Sequence, residues 1–184
     1  MKVGYARNEL TVAIEQVYRP AGINIMNAYS ETESAEYKAC RFSIDDKMAV
    51  FRVAKTTPTK IGQFVTMWKR TETRSDIQPL DAADGVDFVV VSVADEAHRG
   101  QFLFSKEILI SQSIMSCEDK KGKLAIRVYP PWTKPTVKQA IMTQRWQLRC
   151  FFSIQSDGIA DTMRVRELFK LGALEYSSES QKKD

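Results

Sequence analysis

The sequence is short of the residues most catalytic sites are built from. It has one histidine, His98, in 184 residues. Ser–His or Cys–His catalysis, and most transition-metal sites, would hang on that single side chain. Its three cysteines, Cys40, Cys117 and Cys150, are far apart, and no CxxC occurs. That pattern argues against a disulfide scaffold or a zinc site. Neither GxxxxGK[ST] nor GxGxxG is present, so nucleotide hydrolysis on a P-loop and a Rossmann cofactor are not indicated. No apolar run reaches the roughly 18 residues that a membrane span needs. Residues 1–20 lack a continuous apolar stretch followed by a cleavage site. The expectation is a soluble, cytoplasmic chain with no membrane partner. Its oligomeric state is not legible.

Acid is also missing, and in two particular places. The net charge is only +4. Yet residues 47–71 hold no Asp or Glu beside Lys47, Arg52, Lys55, Lys60, Lys69 and Arg70. Residues 120–156 hold none beside Lys120, Lys121, Lys123, Arg127, Lys134, Lys138, Arg145 and Arg149. The windows cover about a third of the chain, where an even spread would put roughly eight acids. A solvated surface normally mixes both signs, and a core rejects unpaired charge. The pattern predicts one basic surface for phosphates or another polyanion, formed by both windows together.

The periodicities predict a single α+β domain over residues 1–176, with residues 177–184 (SSESQKKD) as a disordered tail. Leu10, Ala13, Ile14 and Val17 make an amphipathic helix over 7–18, stopped by Pro20 and Gly22. Strands are expected at 37–44 and 48–54 as a hairpin around Asp45-Asp46, and at 63–70, 86–93, 101–104 and 123–129. The run VDFVVVSV reads as the central strand. A short helix fits 106–112. Pro135 opens a helix whose apolar stripe runs through Val137, Ala140, Ile141, Leu148, Phe151 and Phe152. A last helix fits 163–171. The order is a helix, about six strands, then helices packed on the sheet.

Aromatic residues recur beside cations and amides. Arg127 and Tyr129 share one strand face. Trp132 follows two prolines, and Trp146 sits within TQRWQ. Rings stack on unpaired bases while cations hold phosphates. The candidate interface is therefore Lys55, Lys60, Gln63, Arg70, Gln101, Arg127, Tyr129, Trp132, Gln144, Arg145 and Trp146. For catalysis the candidates are weak. Glu36-Tyr37-Lys38 spells an acid-x-lysine triplet. No metal ligands stand out, and no cofactor is expected.

The segments FRVAKTTPTKIGQFVTMWKR, GQFLFSK, KLAIRVYPPW and TQRWQLRCFF, in this order and spacing, resemble the MepB-like family over about residues 52–154. The resemblance implies a fold like the PD-(D/E)XK nuclease core: a helix, a central mixed sheet with a hairpin, and flanking helices. Active members of that nuclease group carry an acid two residues before a lysine. Here Val53-Ala54-Lys55 occupies that place, and Val53 cannot bind a metal. Glu36 would stand for the first carboxylate. The first expectation is a non-catalytic protein that binds nucleic acid, with single strands favoured. The alternatives are a divergent nuclease that uses Mg²⁺, and a pocket of Lys60, Gln63, Gln101 and Arg127 for a small anion such as a nucleotide.

Overall fold

The computed structural model of the protein describes residues 9–31, 34–71, 73, 75–155 and 161–170. The expected tail at 177–184 lies outside them. In chain order the strands are β1 (Ile25–Ser30), β2 (Cys40–Ile44), β3 (Lys47–Val53), β4 (Lys55–Thr57), β5 (Lys60–Thr66), β6 (Trp68–Arg70), β7 (Ile77–Pro79), β8 (Phe88–Ala94), β9 (Arg99–Ser105), β10 (Ala125–Val128) and β11 (Phe151–Ile154). The helices are α1 (Glu9–Ala13), which runs on as a π-helical turn, Ile14–Tyr18, then α2 (Lys106–Ser111), α3 (Lys138–Gln147) and α4 (Thr162–Leu168).

Six strands form one mixed sheet in the order β1-β2-β3-β8-β9-β11. Only β3 and β8 run parallel. The β2–β3 hairpin turns at Asp45, whose φ of 51° is left-handed, a conformation Asp tolerates better than most residues. Strand β8 is buried on both faces between β3 and β9, which explains its continuous apolar run. The side-chain alternation of β3, β8 and β9 divides their residues between two cores. Phe51, Val90 and Leu103 point to the face covered by α1, the π turn and α4. Val50, Val89, Phe102 and Phe104 point to the other face, where Val65, Ile126 and Val128 meet them. Those last three belong to a small sheet, β10-β5-β4. The helix–sheet–sheet layering is thus set by which residues of the strands are odd and which even.

The expected strand over 63–70 is two strands. Met67, 1% exposed, interrupts it. Its N–H donates to Leu124 O at 2.8 Å, and its carbonyl accepts from Leu80 N–H at 2.9 Å. The chain beyond it leaves the small sheet and pairs with β7 instead. The expected helix through 137–152 also stops early. It ends at Gln147, passes through a 3₁₀ turn at Leu148–Cys150, and becomes β11. Phe151 and Phe152 pair with Phe102 and Gln101 of β9. An aromatic-rich run fits a pleated edge better than a helix. Gly100 admits the Phe151 ring, since a Cβ there would lie 2.3 Å from the ring's Cζ.

Arg52, from the first basic window, is not on the surface. Its side chain is 3% exposed and lies 2.8 Å from Glu31 Oε2. Its Nη1 also donates to the Phe51 carbonyl at 3.0 Å. Arg41 Nε donates to the other Glu31 oxygen. Burial pulls the Arg52 guanidinium below its ordinary pKa, and Glu31 opposes that pull. The cluster ties the end of β1 to β2 and β3. Glu31→Ala would leave Arg52 buried without a counter-charge. It is expected to lower stability by about 3–5 kcal/mol in urea unfolding; a loss near zero would mean that the cluster fastens nothing.

Candidate functional site

Strands β5 and β10 come from the two acid-poor windows, and they pair directly. Phe64 opposes Arg127, and Gln63 opposes Val128. Beside them, between the small sheet and α3, opens a cleft of about 840 Å³. Lys60, Lys123 and Arg127 line it, with the rings of Tyr129 and Trp146 and an apolar wall of Ile61, Val137 and Ala140. None of the described residues lining it is Asp or Glu.

Helix α3 forms one wall by an unusual route. Its only buried residue is a glutamine, Gln147, 1% exposed. Strand β10 has a neighbour on one side only, so its other edge needs partners for its backbone groups. Gln147 supplies them. Its Oε1 accepts the Tyr129 N–H at 2.9 Å, and its Nε2 donates to Arg127 O at 2.9 Å. Gln144, one turn earlier on the same face, donates to Pro130 O at 3.0 Å and Thr133 O at 2.7 Å. With the helix held by amides, Val137 (66% exposed) and Ile141 (39%) are not drawn into the core. Of the apolar stripe read from the sequence, Val137 and Ile141 thus face away from the interior, while Leu148, Phe151 and Phe152 lie beyond the helix and pack on the core.

The β4–β5 turn forms the opposite lip. It carries Lys60 and Ile61, both exposed. Gly62 has a φ of +81°, and a Cβ there would lie 2.7 Å from Tyr129 Cδ1. Glycine is required on both counts.

A family model for MepB-like proteins matches residues 31–153. The chain belongs to the MepB-like family. The crystal structure of MepB superimposes with a TM-score of 0.67 at 36% sequence identity, covering 70% of this chain and 86% of that one. No curated protein matches the chain. Every residue of the MepB-like chain that lines the cleft lies within the matched span.

Among the sequence candidates, Lys60, Arg127, Tyr129 and Trp146 meet at the cleft. Trp146 is half-buried there, its ring 5.5 Å from that of Phe104. Gln144 shapes the wall through its backbone bonds. Arg145 is exposed on α3 outside the lining. Trp132 stacks on His98 at 5.0 Å and stands edge-on to Phe151, away from the cleft. Arg70 lies over Trp68 on the separate β6–β7 ribbon. Two glutamines leave the interface altogether. Gln63 is buried and donates to Ala94 O at 2.7 Å and to Thr56 Oγ1 at 3.1 Å. Gln101 is 1% exposed and accepts from the Tyr18 hydroxyl at 2.6 Å. Burial of that phenol pushes its pKa up. The expected pocket of Lys60, Gln63, Gln101 and Arg127 is therefore not assembled.

Lys38 pairs with Glu9 at 3.4 Å. Glu36 and Lys55 do meet, at 3.2 Å, on the exposed side of β4. The described residues gather no group of three or more His, Cys, Asp or Glu side chains suited to a metal. No helix among them is long and apolar enough to cross a membrane. The candidate interface read from the sequence left out Lys123, Ile61 and Gln147, although Lys123 stands in the second acid-poor window and Gln147 is the second amide at helical spacing in QRWQ. Gln147→Leu keeps the bulk but strands the Tyr129 N–H and the Arg127 carbonyl. It should cost about 1–3 kcal/mol, seen as a Tm lowered by roughly 2–4 °C per kcal/mol. An unchanged Tm would show that the amide does not hold the helix.

Proposed function

We propose that the chain is a non-catalytic, cytoplasmic nucleic-acid-binding protein that favours single strands and uses this cleft. The observation that carries the reading is the cleft's lining: cations and rings beside an apolar wall, with no carboxylate. Unpaired bases have apolar faces and stack on aromatic side chains, while the backbone needs cations nearby. A duplex hides its base faces and offers the wall nothing. The scaffold reading belongs to the same proposal. A β2–β3 hairpin beside a parallel β8 supports a core resembling that of PD-(D/E)XK nucleases. In that comparison Val53 stands where the acid would be, and Lys55 is engaged by Glu36 at 3.2 Å and by the Tyr37 ring at 4.7 Å.

A second reading rests on volume. The cleft's 840 Å³ falls within the range of small-ligand sites, about 300–1,000 Å³. A nucleotide or similar anion would satisfy the same lining. A third, a divergent Mg²⁺ nuclease, rests on the Glu36–Lys55 contact.

Titration of labelled oligo-dT, a matched duplex and mononucleotides at several salt concentrations separates these readings. If Lys60, Lys123 and Arg127 all neutralised phosphates, log K would fall with log salt at a slope near −2, about 0.7 for each cation. The expected result is tight single-strand binding with a slope between about −1.4 and −2, weak duplex binding, and no cleavage with Mg²⁺ or Mn²⁺. Equal binding of mononucleotide and oligomer would move the assignment to the small anion. Cleavage lost in Glu36→Ala would move it to the nuclease.

A further inference from the structure

We infer that Arg127 is a positioning residue, which holds the β4–β5 turn at the lip of the cleft and leaves the anion contacts to Lys60 and Lys123. The inference rests on the binding function proposed above. Charge alone would make Arg127 a phosphate contact. Its donors, however, are already directed at protein. Nη2 donates to Thr57 Oγ1 at 2.7 Å. Nη1 donates to Gly62 O at 3.2 Å and lies within 3.5 Å of the Ile61 and Lys60 carbonyls. The guanidinium stands 5.9 Å from the centroid of the Phe64 ring. The fork thus grips both ends of the turn that carries Lys60.

Two neighbouring contacts act in the same direction. The Tyr129 ring lies against the backbone at Gly62. The strand that presents both Arg127 and Tyr129 is fixed to α3 by the Gln147 amide. The turn is therefore clasped by one strand, and that strand by one helix. Pulling Arg127 toward a phosphate would release the turn that bears Lys60. An arginine suits this post because its planar donors can bridge a hydroxyl and a carbonyl at once, which a lysine ammonium on a flexible stem does less well. Lys60 and Lys123 need no such geometry to meet a phosphate, and no carboxylate of the cleft competes for them.

The test uses the full chain and four variants: Arg127→Lys, Arg127→Gln, Thr57→Val and Lys60→Gln. Amide hydrogen exchange over residues 57–62 is measured first, without nucleic acid. Arg127→Lys, Arg127→Gln and Thr57→Val should all speed it, because each removes part of the grip, whether or not the charge is kept. Oligo-dT affinity is then measured against salt. Both Arg127 variants should bind roughly tenfold more weakly with the wild-type salt slope, whereas Lys60→Gln should lower the slope by about 0.7. Wild-type affinity in Arg127→Lys would overturn the inference. So would a slope lowered in Arg127→Gln as it is in Lys60→Gln. Thr57→Val leaves the arginine in place, so it decides the exchange arm even if an Arg127 variant fails to fold. If the wild-type chain binds no oligonucleotide, the proposed function fails, and the exchange rates still show whether Arg127 holds the turn.

Discussion

The amide of Gln147 stands where a further strand of the small sheet would stand, and the cleft depends on it. A buried amide is costly unless each of its groups finds a partner. Here Oε1 and Nε2 take one backbone donor and one backbone acceptor, two residues apart on a strand edge. Such an edge offers that pairing and nothing apolar. Of the helix's apolar side chains Trp146 packs on the core at Phe104, and the amides leave the others free of any need to turn inward. Val137 and Ala140 are left to face the cleft, and the polar docking is thus what makes an apolar wall possible.

The same economy of partners explains why a count of cations overstates the basic surface. The acid-poor windows read as reservoirs of free charge. In the folded chain, acids from elsewhere reach into the first of them. Glu31 meets Arg52, Glu36 meets Lys55, and Asp84 meets Lys69. Each pairing joins residues that lie at least 15 apart in sequence, so no local window could show it. At the cleft, Lys60, Lys123 and Arg127 form a smaller cationic set. That set is more telling than the original run, because it is defined by having no carboxylate beside it.

Much of the architecture was legible because it rests on local signals. The β2–β3 hairpin, the interior strand at 88–94 and the short helix at 106–111 all follow from period and turn chemistry. The errors arose where local signals are ambiguous. The stretch LRCFFSI satisfies both a helical stripe and a pleated alternation, and pairing with β9 decided it. The run through Met67 alternates without a break, yet the chain changes sheets there. The glutamines were least legible. Gln101 finds its partner 83 residues away in Tyr18, and Gln147 finds its own on β10. An amide carries no sign of whether it will be read by a ligand or by the backbone.

Arg127 brings these points together. In sequence it is one cation among many, two residues before a tyrosine. In the fold its charge matters less than its shape. Carbonyl oxygens at the turn are only partial charges, and a lysine could neutralise a phosphate as well from the same position. What a lysine does not reproduce is a rigid plane with donors on two of its sides. The turn presents a hydroxyl at Thr57 and carbonyls at 60–62, and that spread suits a fork. The division of labour follows from this geometry. The planar cation is committed to the protein's own backbone, and the mobile ammonium groups of Lys60 and Lys123 remain for whatever anion enters. A surface built in this way keeps its shape when empty, so the ordering cost that a loose basic loop would meet on binding is already covered by folding.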